Sequence, residues 1–205
     1  MQVKKERIRK NILNSAKREF NKNMFQNASM RKIAEDAGIT TSNIYNYFEN
    51  KDDVFKELLK PTIQNIENGF NFASSLISKD SSNNHNIFWY KDQIAKIMKF
   101  IDNNREDLEL LLLKSQGSFY ENFRDIIVLK YTDIYDKQYK SLKKQYPDFR
   151  YNISRTLWQN LIMFIVNFVY EIIKNKISLI EMKKLNDELL NIIFNGFTEY
   201  FNFKS

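Results

Sequence analysis

The chain has 205 residues, 43% of them hydrophobic and 15% aromatic, enough for a packed core and too many for a disordered chain. It has no cysteine, one histidine and a formal net charge of +7. Disulfides, thiolate metal sites and cysteine nucleophiles are thereby excluded, and polyanionic partners are favoured.

That charge is unevenly spread. Residues 1–52 hold eleven Lys/Arg against six Asp/Glu, so five of the seven net charges sit in the first quarter of the chain. The longest purely apolar run covers residues 161–166, far short of a membrane span. "MQVKKERIRK" lacks the apolar centre of a signal peptide. The expectation is a soluble, cytoplasmic protein without a membrane partner.

Four glycines and two prolines leave few breakers, and the apolar spacing is helical nearly throughout. The fold class expected is all-α, with about nine helices and no strand. Ile8, Ile12, Ala16 and Phe20 recur every fourth residue and define the inner face of a first helix. "NKN" at 21–23 ends it, with Asn23 in the left-handed conformation usually given to glycine. Ser29 caps a short second helix whose Ile33, Ala34 and Ala37 face inward. Gly38 makes a tight turn, and Thr40 caps a third helix reaching to about Phe48.

A fourth helix follows "ENKDD" and is interrupted by Pro61, which removes a hydrogen bond and should kink or restart it. "KDSSNNHN" at 79–86 reads as a polar loop. Helices are predicted over about 87–102, 104–114, 118–145, 150–175 and 179–203. Ser118 and Glu121 have capping-box spacing, and Pro147 marks the break before the eighth helix.

The second helix, the glycine turn and the third helix form a helix-turn-helix, whose second member can enter the DNA major groove. At about 100° per residue, Ile44 and Phe48 share the inner side of that helix, while Ser42 and Asn46 lie nearly opposite, flanked by Asn43 and Tyr45. This outer side is short, uncharged and rich in hydrogen-bonding groups. Asparagine can pair with two sites on an adenine edge, and serine or threonine with several base edges. Around it, Arg31, Lys32, Tyr45, Tyr47 and Lys51 are placed to hold the sugar-phosphate backbone. A small bundle with a solvated polar face has the same pattern, and the wheel alone does not separate the two.

The stretch "ASMRKIAEDAGITTSNIYNYFENKDDVFKELL", 28–59, resembles the DNA-binding signature of the tetracycline-repressor (TetR) family of bacterial regulators. The matching features are Ser29-Met30-Arg31-Lys32-Ile33-Ala34, Ala37-Gly38-Ile39-Thr40, Ile44-Tyr45-x-Tyr47-Phe48, and Asn50-Lys51 with Val54, Phe55 and Leu58. Met30 departs from the threonine common in the family, and Asn23 stands where a glycine is usual. The resemblance implies DNA contacts at Arg31, Thr40, Thr41, Ser42, Asn43, Tyr45, Asn46, Tyr47 and Lys51. The wheel turns Tyr47 partly inward.

The resemblance further implies a helix-turn-helix domain over residues 1–50 and an effector-binding and dimerisation domain over 51–205. Its expected partners are double-stranded DNA with a palindromic operator, a second copy of the chain and a small-molecule effector. The expected function is a sequence-specific regulator, most simply a repressor released by that effector. The alternative is a helix-turn-helix regulator controlled by a protein partner, or acting as an activator, with no small-molecule effector.

Phe100, Phe119, Phe123, Tyr131, Trp158 and Phe164 are the aromatics available to line an effector pocket, although the same residues would serve a plain core. Apolar stripes on the last two helices carry Leu157, Leu161 and Phe168, then Leu189, Ile193, Gly196 and Phe197, the expected dimer contacts. With His85 alone in a polar loop and no glycine-rich phosphate loop, neither a metal, a cofactor nor an enzyme activity is expected.

Overall fold

The structure is a computed structural model, and it describes residues 2–78, 87–145 and 153–189. The helices are α1 (Gln2–Asn27), α2 (Met30–Asp36), α3 (Thr41–Ile44), α4 (Lys51–Ser78), α5 (Ile87–Asn103), α6 (Arg105–Leu113), α7 (Phe123–Gln145) and α8 (Arg155–Lys174). A further helical segment, α9, covers residues 179–189. No strand occurs among the described residues, so the all-α expectation holds.

One core runs through most of the molecule. Ile12, Ala16 and Phe20 of α1, Ile33 of α2, Ile44 and Phe48 around α3, and Val54, Phe55 and Leu59 of α4 are all nearly solvent-free. The same cluster continues through Leu110 and Leu111 of α6, Phe123, Ile127 and Tyr131 of α7, and Ile162 of α8. The first turns of α4, where the second domain was expected to begin, are therefore packed into both halves. The rings of Phe20, Phe25 and Phe55 meet at centroid distances of 4.9, 5.0 and 5.8 Å. Truncating such a ring costs about 3–5 kcal/mol. A second cluster joins Met98 and Ile101 of α5, Leu108 of α6, Ile172 and Ile173 of α8, and Met182 of α9.

Several expectations need correction. The left-handed residue in α1 is Met24 (φ 59°, ψ 168°), not Asn23, and it kinks a helix that continues to Asn27. The cause is tertiary. The Phe25 N–H donates to Lys114 O at 2.9 Å, and the Phe25 ring turns into the Phe20–Phe55 cluster. The third helix ends as regular α-helix at Ile44 rather than near Phe48. Beyond it the chain tightens, with Asn46 N–H bonded to Asn43 O and Tyr47 N–H to Ile44 O.

Pro61 does not interrupt α4, which is one helix from Lys51 to Ser78. Pro61 is exposed, while Leu59 and Thr62 beside it are buried, so packing carries the helix across the missing hydrogen bond. The seventh helix starts at Phe123 instead of 118. Ser118 is used in a turn, its hydroxyl accepting the Tyr120 N–H at 3.0 Å. His85, Pro147, Ile193, Gly196 and Phe197 lie outside the described residues.

Candidate nucleic-acid interface

Short-range chemistry builds the helix-turn-helix. The Ser29 hydroxyl accepts the Lys32 N–H at 3.4 Å, opening α2. The buried Glu19 carboxylate of α1 accepts the Ser29 N–H at 3.0 Å, tying that opening to the first helix. Gly38 sits at φ +72°, where a side chain is strained whatever the space around it. The Ile39 N–H then returns to Ala34 O at 3.0 Å. Thr40 opens α3 by accepting the Asn43 N–H at 3.2 Å.

Ile44 and Phe48 fasten α3 to the core from behind, and the Arg9 guanidinium lies 4.7 Å over the Phe48 ring. The outward side carries Thr40, Thr41, Ser42 and Asn46, all exposed, and Tyr45, which is 52% exposed. Asn43 and Tyr47 are half-buried, Tyr47 with its side against the core cluster. Two hydrogen bonds organise this surface. The Thr40 and Ser42 hydroxyls are 3.1 Å apart, and the Asn46 amide donates to Asn43 Oδ1 at 3.0 Å. The wheel's four outward residues are thus brought together, three of them already hydrogen-bonded: Ser42 to Thr40, and Asn46 to Asn43.

The basic residues divide. Arg31 is exposed. Lys32 is exposed too, but its ammonium lies 2.9 Å from Asp36 and 3.6 Å from Glu35, and the bond to Asp36 holds its pKa above the ordinary lysine value. Its charge is answered within α2. Lys51 donates to Gln26 O and Ala28 O, each at 3.1 Å, and lies 4.6 Å over the Phe25 ring. Burial pushes its pKa down, against opposing pulls from Asp52 and Glu19. Two of its three donors are occupied internally, an arrangement that nothing local in the sequence signals.

α4 begins beside this site. Asn50 Oδ1 accepts the Asp53 N–H at 2.9 Å, and Asp53 in turn accepts the Glu49 N–H at 3.2 Å. Asp52 accepts the Phe119 N–H at 2.7 Å, joining the interface to the corner between α6 and α7. Lys17 of α1 meets Asp107 of α6 at 2.8 Å, and Thr62 of α4 donates to the same carboxylate at 2.9 Å.

Neither of the two clefts found among the described residues is lined by any of the six expected pocket aromatics. Phe119 is 63% exposed beneath the Lys56 ammonium, and Phe164 is 50% exposed on the outer side of α8. Phe100 packs on the second core cluster, while Phe123 and Tyr131 are buried in the first. Trp158 is edge-on to Tyr135 at 5.5 Å. Phe70 stacks on Tyr131 at 4.4 Å, adding a ring that was not among the six. The pockets described are two open clefts, about 400 and 350 Å³, away from this aromatic layer.

Of the expected dimer residues, Leu157 and Leu161 are nearly half exposed, whereas Phe168 and Leu189 are half-buried. Ile165 and Phe164 extend the same exposed stripe. α8 is long and apolar enough to cross a membrane by length and composition (mean hydropathy 1.4), which the six-residue run did not reveal. Only 22% of that segment is buried.

Residues 12–58 match the model of the family described as bacterial regulatory proteins, tetR family. No curated protein matches the chain in sequence. Among solved structures, the chain is similar to native NalD, the secondary repressor of the MexAB-OprM multidrug efflux pump in Pseudomonas aeruginosa. That match has a TM-score of 0.62 at 14% identity over 94% of this chain and 97% of the other. A transcriptional regulator from Aquifex aeolicus VF5 gives 0.61 at 17% identity, covering 91% and 99%. The FadR regulator of Bacillus subtilis, in complex with stearoyl-CoA, gives 0.56 at 17% identity, covering 89% and 95%. At these identities the structures speak for the fold, and the helix-turn-helix match speaks for the family. Residues 12–58 therefore carry the DNA-binding signature of the tetR family of bacterial regulatory proteins, seated on a fold similar to that of those solved regulators.

Proposed function

We propose that the protein is a homodimeric repressor that reads a palindromic operator with α3 and leaves it when an effector binds the helical domain. One observation carries the DNA part. An exposed, uncharged surface of Thr41, Ser42, Tyr45 and Asn46 is backed by the buried Ile44 and Phe48, with Arg31 exposed on the preceding helix. A surface with no core to cover and no charge to solvate is chemically suited to base edges. In this reading Thr40, Tyr47 and the remaining donor of Lys51 meet phosphates, and residues 1–50 and 51–205 act as reading head and control domain.

The dimer reading rests on the stripe of Leu157, Leu161, Phe164 and Ile165, which a second copy would cover. Two copies would set two α3 helices about 34–36 Å apart, one turn of DNA. The cytoplasm, where such DNA lies, is the compartment this function requires.

The effector site we favour is the layer between α4, α7 and α8, where Phe70, Tyr131, Tyr135 and Trp158 meet. The buried Trp158 indole N–H has no partner among the described residues, a donor that a ligand acceptor would satisfy. That the similar FadR structure holds stearoyl-CoA supports a ligand in such a domain, not its identity here. Neither described cleft is lined by this layer, which favours a second reading, in which a protein partner does the releasing.

Footprinting on DNA upstream of the protein's own gene tests the proposal. Two protected half-sites one helical turn apart are expected, and they should vanish with Asn46→Ala. Protection that is uniform along the fragment would contradict specific reading.

A further inference from the structure

We infer that the first three turns of α1 make a second DNA contact, a phosphate-gripping stripe of Lys4, Arg7 and Lys10, with Lys5 alongside Lys4, beside the base-reading helix. This rests on the DNA-binding reading above and extends it to a surface outside the helix-turn-helix.

All four residues are exposed. Among the described residues, the carboxylate ion pairs of α1 go through Arg9 and Lys17, not through these four. Lys4, Arg7 and Lys10 follow at steps of three, which makes them neighbours on the helix surface. Glu6 is the lone acid in the first ten residues, and it is exposed.

Their charge has the wrong sign for folding. A helix N-terminus carries the positive end of the dipole and is stabilised by acids, yet α1 has no acid in its first turn. Lys4 and Lys5, in the first turn, oppose the dipole, and Lys4, Arg7 and Lys10 repel one another. Among the described residues, the ion pairs of α1 compensate neither effect. A polyanion relieves both at once.

Position makes that polyanion DNA. Arg9, between Arg7 and Lys10 in the chain, stacks over Phe48 at 4.7 Å and bridges to Glu57 of α4 at 3.0 Å. Phe48 is the residue that seats the reading surface. Further along α1, Ile12, Ala16 and Phe20 are fully buried in the same core. The stripe is therefore rigidly part of the reading head. From Lys4 to Lys10 it extends roughly 9 Å at 1.5 Å per residue, two to three phosphate steps along one strand.

The experiment compares the full chain with a Lys4→Gln, Arg7→Gln, Lys10→Gln triple variant. Each is titrated with its own upstream duplex and a scrambled duplex across a range of salt concentrations. The variant's slope of log affinity against log salt should be shallower by about two to three, since each phosphate contact contributes roughly 0.9. Both duplexes should weaken by about the same factor, so the preference between them stays constant. Without DNA, the variant's thermal midpoint should equal or exceed the parent's, because an unfavourable charge has been removed. An unchanged slope overturns the contact, as does a loss confined to the specific duplex. Tighter parent binding to phosphatidylserine vesicles than to either duplex would overturn it in favour of a membrane surface. A parent that binds neither duplex overturns this contact together with the regulator reading, whereas a parent that reads its site while the variant keeps the slope overturns the contact alone.

Discussion

The Lys51 ammonium at the start of α4 donates to the main-chain carbonyl of Ala28, 3.1 Å away and 23 residues earlier in the chain. With its twin bond to Gln26 O and its seat over Phe25, it pins α4 to the connection between α1 and α2. Hydrogen bonds to a charged group are each worth about 1.5–3 kcal/mol. Lys51 is only partly buried, so the low end applies. Lys51→Ala should cost about 2 kcal/mol of stability in urea unfolding and weaken operator and scrambled DNA alike. Full stability in the variant would show that the lock is not formed.

Met24 holds a backbone conformation that is otherwise almost confined to glycine, at a cost of about 1–3 kcal/mol. Its side chain is 46% exposed, so little packing is lost on removing it. Met24→Gly should therefore stabilise the protein by about 1 kcal/mol after the extra chain entropy of glycine, measured as a raised urea midpoint at unchanged slope. Destabilisation would mean that the kink carries no strain.

Pro61 leaves the α4 helix one hydrogen bond short in its interior. Pro61→Ala should stabilise the fold by up to about 3 kcal/mol and stiffen α4. If effector binding acts by bending or shifting α4, the variant should hold its operator more stubbornly under inducing conditions. Release identical to the parent's would remove Pro61 from the control mechanism.

Burial pushes the Tyr135 phenol well above its ordinary value, and Tyr131 is shifted in the same direction by the same cause. Their hydroxyls donate to Phe70 O at 3.0 Å and Glu67 O at 3.2 Å. In the unfolded chain these phenols ionise near pH 10, while in the folded chain they stay protonated. Their contribution is fully present below about pH 10 and is lost as pH rises through the higher folded values. Lys17 acts in the same direction. Burial lowers its pKa, but hydrogen bonds and charge from Asp107 and Glu106 outweigh that and raise it overall. Stability should fall above roughly pH 10, and less steeply in Tyr135→Phe, as read from urea midpoints against pH.

What the sequence made legible was what neighbours in the chain decide. The Ser29 and Thr40 caps, the Gly38 turn and the inward Ile44 and Phe48 follow from residue type and helical period, and the structure reproduces them. Met24 was hidden because asparagine is the commoner left-handed residue. The kink is set instead by Phe25 turning into the core and by its N–H reaching Lys114 O. Lys51 read as a free surface cation, since its acceptors are carbonyls more than twenty residues away. The α8 stripe was visible as a stripe, but periodicity cannot say whether its partner is this chain or another. Phe164 was assigned to an interior for that reason, and it lies outside.

The claim that Ser42, Tyr45 and Asn46 form a base-reading surface meets its most direct test in one titration. The affinity of the protein for the duplex upstream of its own gene is compared with that for a scrambled duplex of equal length, at roughly 50 and 200 mM salt. Specific sites commonly bind about 10³-fold or more tighter than non-specific DNA. A preference of that order at both salts is expected, with both affinities falling steeply as salt rises and the preference collapsing in Asn46→Ala. Equal affinity for the two duplexes, or binding indifferent to salt, would contradict it.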